Sequence, residues 1–376
     1  MKMKIIAVLL SALMVISMAS CTSSQAASAK PAEQQPETQK QYAPLKDIYK
    51  DYFLIGNVIN NKYMNKDYFE ILIEHYNAVT CENQMKPSEL APRVKGGEYN
   101  WAPADRLLDS MIANNLKMHG HTLVWHNQTP AWMTQGSAQE VRTNLINHIN
   151  TVLAHFKGKV LSWDVVNEAI LENGDPGDWR SYLRKESGWY KALGADYIEL
   201  AFRTAREADP DILLYYNDYN MDNQRKMRAV AAMIKEMNDK YRNEGHDRNL
   251  IDGIGLQAHY GNGVIISNVR NTIKTFADLG LIVDFSELDI SAGGGNSGPG
   301  KDSIMNKSEQ KTQANVYASL FKVFMEFSDH ISRVTMWGLD DESSWKSIGN
   351  PCLFDSNLNP KQAFFAVCDP DQYLGN

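Results

Sequence analysis

The sequence predicts a single (β/α)8 barrel, and three observations predict it. Short apolar runs alternate with helical patterns along the chain, there are eight such runs, and polar residues gather at the C-terminal end of most of them. Alternation of this kind calls for parallel strands joined by crossover helices. About 332 residues remain once the N-terminal segment is set aside, a length that suits one closed barrel. The ends of barrel strands meet at one face, and sites are built there.

Each run can be read in order. YFLIGNVI (52–59) comes first, and AVTCEN (78–83) follows it, ending in Glu82 and Asn83. KMHGHTLVWH (117–126) carries His121 and Trp125, and VLSWDVVNE (160–168) ends in Asn167 and Glu168. ILLYYND (212–218) leads to Tyr219, and DGIGLQAH (252–259) holds Gln257 and His259. LIVDFSELDI (281–290) holds Glu287 and Asp289, and RVTMWGLDD (333–341) holds Trp337. Between the runs lie helical patterns such as 104–115, 138–156, 196–209, 221–243, 265–279 and 308–327. An unpaired buried polar group costs about 1–3 kcal/mol. So many at strand ends mark a polar cleft and not a core.

Two segments precede the barrel. Lys2 and Lys4, an apolar run from Ile5 to Met18, and small residues before Cys21 form a signal-peptide pattern over 1–20, too short and wrongly flanked for a membrane span. "MAS" before Cys21 resembles a bacterial lipobox, which implies acylation of Cys21 and a tether that does not cross the membrane. Plain export with an odd cysteine is the alternative. Residues 21–44 read as the lipidated cysteine and a flexible linker, and 45–376 as the catalytic domain. The expected location is the cell envelope, at the outer membrane, surface or periplasmic face.

The net charge of −7 becomes −9 without Lys2 and Lys4 (36 basic against 45 acidic), and no basic block interrupts it. Nucleic acid is therefore not an expected partner, and a neutral or weakly charged substrate suits the surface. Cys81, Cys352 and Cys368 lack CxxC spacing. A Cys352–Cys368 disulfide and two free thiols stand as alternatives. GNSGPGKD (295–302) imitates a phosphate loop but continues with Asp302 in place of Ser or Thr. HGH (119–121) lies on the third run, where a metal pair of barrel hydrolases would open the first. No cofactor or metal is expected.

Glu168 and Glu287 end the fourth and seventh runs and so face each other across the barrel mouth. Opposed carboxylates with aromatic neighbours suit cleavage of a glycosidic bond. Asp289 follows Glu287 by two residues, on the same strand face. His259, ending the adjacent run, can lie between these carboxylates and keep Glu287 ionised. Trp163 and an anionic Glu287 are expected to raise the Glu168 pKa.

Seven stretches carry a resemblance: WDVVNE (163–168), SELDI (286–290), CENQMKP (81–87), GHTLVWHNQTPAW (120–132), YYNDYN (215–220), GIGLQAH (253–259) and TMWGLDDESSW (335–345). Together they resemble family 10 glycoside hydrolases, chiefly endo-β-1,4-xylanases, in order from about Phe53 to Asp369. The resemblance implies a (β/α)8 barrel that cleaves xylan with retention, with Glu168 as acid/base and Glu287 as nucleophile. It implies that Asn167 bonds the sugar 2-hydroxyl. Glu82, Asn83, Lys86, His121, Trp125 and Gln128 become donor-side contacts. Trp337 and Trp345 would crowd the space of a C6 hydroxymethyl, and Tyr219 and Gln257 would serve the acceptor and nucleophile sides. Relatives that accept β-1,4-glucan or aryl β-glycosides leave a broader specificity open, and a non-catalytic xylan-binding protein is a third reading.

Overall fold

Eight parallel strands close on themselves in the computed structural model, which describes residues 42–292 and 305–375. The expected signal peptide, Cys21, most of the linker and the imitation phosphate loop lie outside the described residues. The strands are β1 (Leu54–Ile59), β2 (Ala78–Cys81), β3 (Lys117–Trp125), β4 (Ser162–Asn167), β5 (Leu213–Asp218), β6 (Gly253–Leu256), β7 (Ile282–Ser291) and β8 (Ile331–Met336). Each pairs with the next, and β8 returns to β1 with Gly56 opposite Thr335. The barrel the sequence predicts is therefore present.

One helix of seven residues or more follows each strand: α1 (Lys66–His75), α2 (Ala102–Ala113), α3 (Ala138–Phe156), α4 (Asp196–Ala208), α5 (Gln224–Asn243), α6 (Ile266–Asp278), α7 (Lys307–Glu326) and α8 (Gln362–Cys368). Local chemistry sets several starts. Ser137 accepts from the Glu140 amide while Glu140 caps back onto Ser137, a reciprocal box that opens α3. Asn306 and Glu309 do the same for α7. Apolar faces such as Val141, Leu145, Ile149 and Val152 then bury against the sheet.

Strict alternation along the strands fails at two places that matter. Register shifts fall between Asp164 and Val166 on β4 and between Phe285 and Leu288 on β7. Without the first, Asp164 and Asn167 would face opposite sides of the sheet; without the second, so would Asp284 and Glu287. Each extra residue re-aims a polar side chain at the mouth. The run 252–259 is likewise broken at Ala258, where φ is +57°, and His259 resumes pairing on β7 opposite Asp289. Cys81, Cys352 and Cys368 are buried free thiols, so the disulfide alternative is not realised here.

Candidate active site

Glu287 projects from β7 into a cleft of about 740 Å³ at the C-terminal mouth of the barrel. His259 Nε2 lies 3.2 Å from its Oε2, and Asn217 Nδ2 donates to its Oε1 at 2.9 Å. Behind His259, Asp289 Oδ2 accepts from Nδ1 at 2.8 Å. Burial alone would push the His259 pKa down. The Asp289 charge and the hydrogen bonds to both carboxylates overcome this and lift it to about 9. Burial would conversely raise Glu287, but the His259 bond, the nearby His121 and the Asn217 amide hold it below the usual range. Glu287 is thus an anion fixed by a protonated imidazole.

Glu168 sits one residue past β4, with φ at +57° and its amide donating to the Asn217 carbonyl at 2.9 Å. Its partners are neutral. Trp125 Nε1 donates to Oε2 at 2.9 Å, and Gln257 Nε2 donates to Oε1 at 3.0 Å. His126 lies 3.8 Å away, beyond hydrogen-bond reach, and burial with the nearby Arg184 lowers its pKa to about 4. The imidazole is therefore uncharged near neutral pH. Amides join the two halves: Asn167 is 3.0 Å from Asn217 and 3.2 Å from Gln257, and those two hold Glu287 and Glu168.

The donor-side residues form one bonded group. Lys86 Nζ donates to Gln128 Oε1 at 3.0 Å and Asn83 Oδ1 at 3.3 Å, and Gln128 Nε2 donates to Asn83 at 3.1 Å. Asn60 Nδ2 anchors Glu82 at 2.7 Å. Lys86 is buried at 7% exposure and lies 5.0 Å from the Trp125 ring, so it is no free surface charge. Burial lowers its pKa, opposed by Glu287, Glu82 and Glu168. His121 Nδ1 lies 2.8 Å from Asp164 Oδ2, and His119 Nε2 lies 3.1 Å from the same oxygen. Both histidines of the HGH pair thus converge on one buried carboxylate.

Trp337 is nearly buried, whereas Trp345 is 57% exposed and reaches over the His259 ring at 4.8 Å. Trp345 Nε1 donates to Asp289 Oδ2 at 2.9 Å, which fixes the indole despite its exposure. Tyr219 lies over Lys226 Nζ at 3.5 Å, and Lys226 in turn pairs with Asp218 at 2.7 Å in full burial. Of the fifteen site residues read from the sequence within the described chain, fourteen line this cleft. Asp289 stands behind it, and Cys21 lies outside the described residues.

One expectation is overturned. Trp163 does not desolvate Glu168. It is fully buried on the outer face of β4, covering Gly120 so closely that a Cβ there would meet the indole at 2.3 Å, and it packs 5.8 Å from Phe156 of α3. Trp125 is the indole that touches Glu168. Sequence reasoning marks Asn217 as a strand-end polar residue, in YYND, without giving it a role, and it passes over Arg184. Arg184 comes from the connection between β4 and α4, outside every motif, and carries no such signal.

A sequence profile of glycosyl hydrolase family 10 matches residues 44–370. The chain belongs to that family. Endo-1,4-beta-xylanase A of Thermotoga maritima is 37% identical over 353 residues, covering 89% of this chain and 31% of that protein. The family 10 chain thus spans about a third of that relative's length. A beta-1,4-xylanase of Dictyoglomus thermophilum is 37% identical over 332 residues, covering 86% of this chain and 90% of that one. The solved structure of a termite-gut family 10 xylanase containing a bacterial Ig-like domain superposes with a TM-score of 0.83. It is 38% identical and is covered to 80%, against 91% of this chain. A family 10 glycoside hydrolase on a (β/α)8 barrel is what these findings and the cleft establish.

Proposed function

We propose that this family 10 chain is a retaining endo-β-1,4-xylanase that cleaves internal bonds of xylan through a covalent glycosyl-enzyme. The observation that carries the reading is the unequal setting of the two cleft carboxylates. Glu287, ionised by His259 and Asn217, is the group able to attack the anomeric carbon. Glu168, bonded only by an indole and an amide, is the group to protonate the departing oxygen. Attack cancels the Glu287 charge; Glu168 then takes a proton from an incoming water, whose oxygen bonds the anomeric carbon as the ester bond to Glu287 breaks and frees the sugar. Asn167 lies between them, placed for the 2-hydroxyl beside the scissile bond, a contact that strengthens as the oxocarbenium-like state forms.

The xylanase names of the relatives support xylan and xylo-oligosaccharides as substrates. Trp337 and Trp345, which line the cleft, support the same choice through the family resemblance, which implies that they crowd the space of a glucan C6 hydroxymethyl. Lipidation at Cys21 and a cell-envelope location complete the proposal, supported by the sequence pattern before Cys21. Metabolic labelling with palmitate tests the anchor: wild type should incorporate it and Cys21→Ala should not. Reducing-sugar release on linear β-1,4-xylan and β-1,4-glucan tests the activity. Release from xylan, lost by about four orders of magnitude or more in Glu287→Ala, is expected. A folded protein that releases nothing from xylan contradicts it.

A further inference from the structure

Among the described residues, three lysine and arginine side chains line the cleft beside the His259 imidazolium, and two of the three are committed. Lys86 is enclosed by Asn83 and Gln128, and Lys346 lies 3.5 Å from Asp289. Arg184 differs. Its Nε donates to the Glu168 carbonyl at 3.0 Å and its Nη2 to the Tyr219 hydroxyl at 2.9 Å. Nη1 makes no hydrogen bond among the described residues, and the guanidinium forms no ion pair among them. The acidic groups beside Tyr219 are taken: Asp218 pairs with Lys226 at 2.7 Å, and Glu172 accepts from Asn220 at 2.6 Å. A half-buried guanidinium is left with a free edge in a cleft, on a chain whose net charge is −7.

A guanidinium with a free N–H edge is suited to a carboxylate, which it binds with directional, charge-assisted hydrogen bonds. The main xylan chain carries no carboxylate; a uronic acid branch does. The geometry points to Arg184 as a carboxylate-binding position on the Tyr219 side of the cleft, where it takes the uronic acid branch of a decorated xylan. This rests on the xylanase reading and names the substrate class within it. Arg184 is a specificity determinant here, because both groups that fix it, the Glu168 carbonyl and Tyr219, belong to the cleft wall. The competing role is a brace for the left-handed backbone at Glu168, which would need no ligand.

The test compares kcat/KM for a linear xylo-oligosaccharide and for the same backbone carrying one uronic acid branch, at low and high salt. Wild type should favour the branched acid by about two- to fivefold at low salt, the scale of a partly exposed ion pair. The ratio should fall toward one as salt screens the contact. Arg184→Gln should abolish the ratio and its salt dependence, whatever it does to overall rate, and Arg184→Lys should restore part of both. A wild-type ratio at or below one, or a ratio unchanged in Arg184→Gln, overturns the proposal and leaves Arg184 as a brace. Failure to cleave the neutral chain would instead sink the xylanase reading, and this inference with it.

Discussion

The two sides of the cleft are built from similar parts and end in opposite electrostatics. On the β7 side, Glu287 meets a histidine backed by a second carboxylate, and its side chain is 8% exposed. On the β4 side, Glu168 meets an indole and an amide, and its side chain is 16% exposed. The nearest histidine there, His126, is uncharged near neutral pH because burial and Arg184 remove its proton. The cationic His259 fixes Glu287 as an anion, whereas the Glu168 carboxyl meets only neutral donors.

Breaking one side at a time should expose the difference. Glu168→Ala should lower kcat/KM on xylan by about 10²–10⁴-fold. On an aryl xyloside with an activated leaving group it should cost far less, because such a group departs unprotonated. Equal losses on both substrates would remove Glu168 from the acid role. His259→Asn should cost about 10–100-fold and move the acid limb of kcat/KM to higher pH. The sign follows from Glu287, whose pKa is lowered partly by His259, so removing the imidazole lets burial raise it. A pH profile with an unmoved acid limb would contradict that coupling.

A smaller effect concerns stability. His259 has a folded pKa of about 9, above its ordinary value, so the native state holds this proton more tightly than the unfolded chain does. Its contribution is complete below about pH 6.5 and fades as pH rises through 9. Wild-type Tm should therefore decline over that window more steeply than that of His259→Asn. Parallel profiles would show that His259 is not protonated in the folded protein. The least effect is expected from Trp125→Phe, which removes one N–H from Glu168 while keeping a ring beside Lys86. About 1 kcal/mol, or several-fold in kcat/KM, is the scale of one hydrogen bond.

The barrel was readable because its eight strands announce themselves twice, by apolar runs and by the polar residues that end them. Most cleft residues were readable for the same reason, since strand ends such as NE (167–168) and SELD (286–289) are local in sequence. What escaped was non-local. Arg184 reaches the Glu168 carbonyl from a loop sixteen residues on, and nothing in its neighbourhood distinguishes it from a surface arginine. Trp163 misled because its face depends on register. It stands between Ser162 and Asp164, which both point to the polar interior, so it must point outward to α3. Asn167 is three residues from Asp164 and still reaches the cleft, which needs the shift at Val166 that no alternation pattern reveals.

In the proposed reaction Glu287, and not Glu168, becomes covalently joined to the sugar. A 2-fluoro xylobioside with a good leaving group should trap that species, and peptide mapping by mass spectrometry would locate it. Time-dependent inactivation and a single adduct on the peptide containing Glu287 are expected. An adduct on Glu168, or turnover with inversion and no adduct, would contradict it.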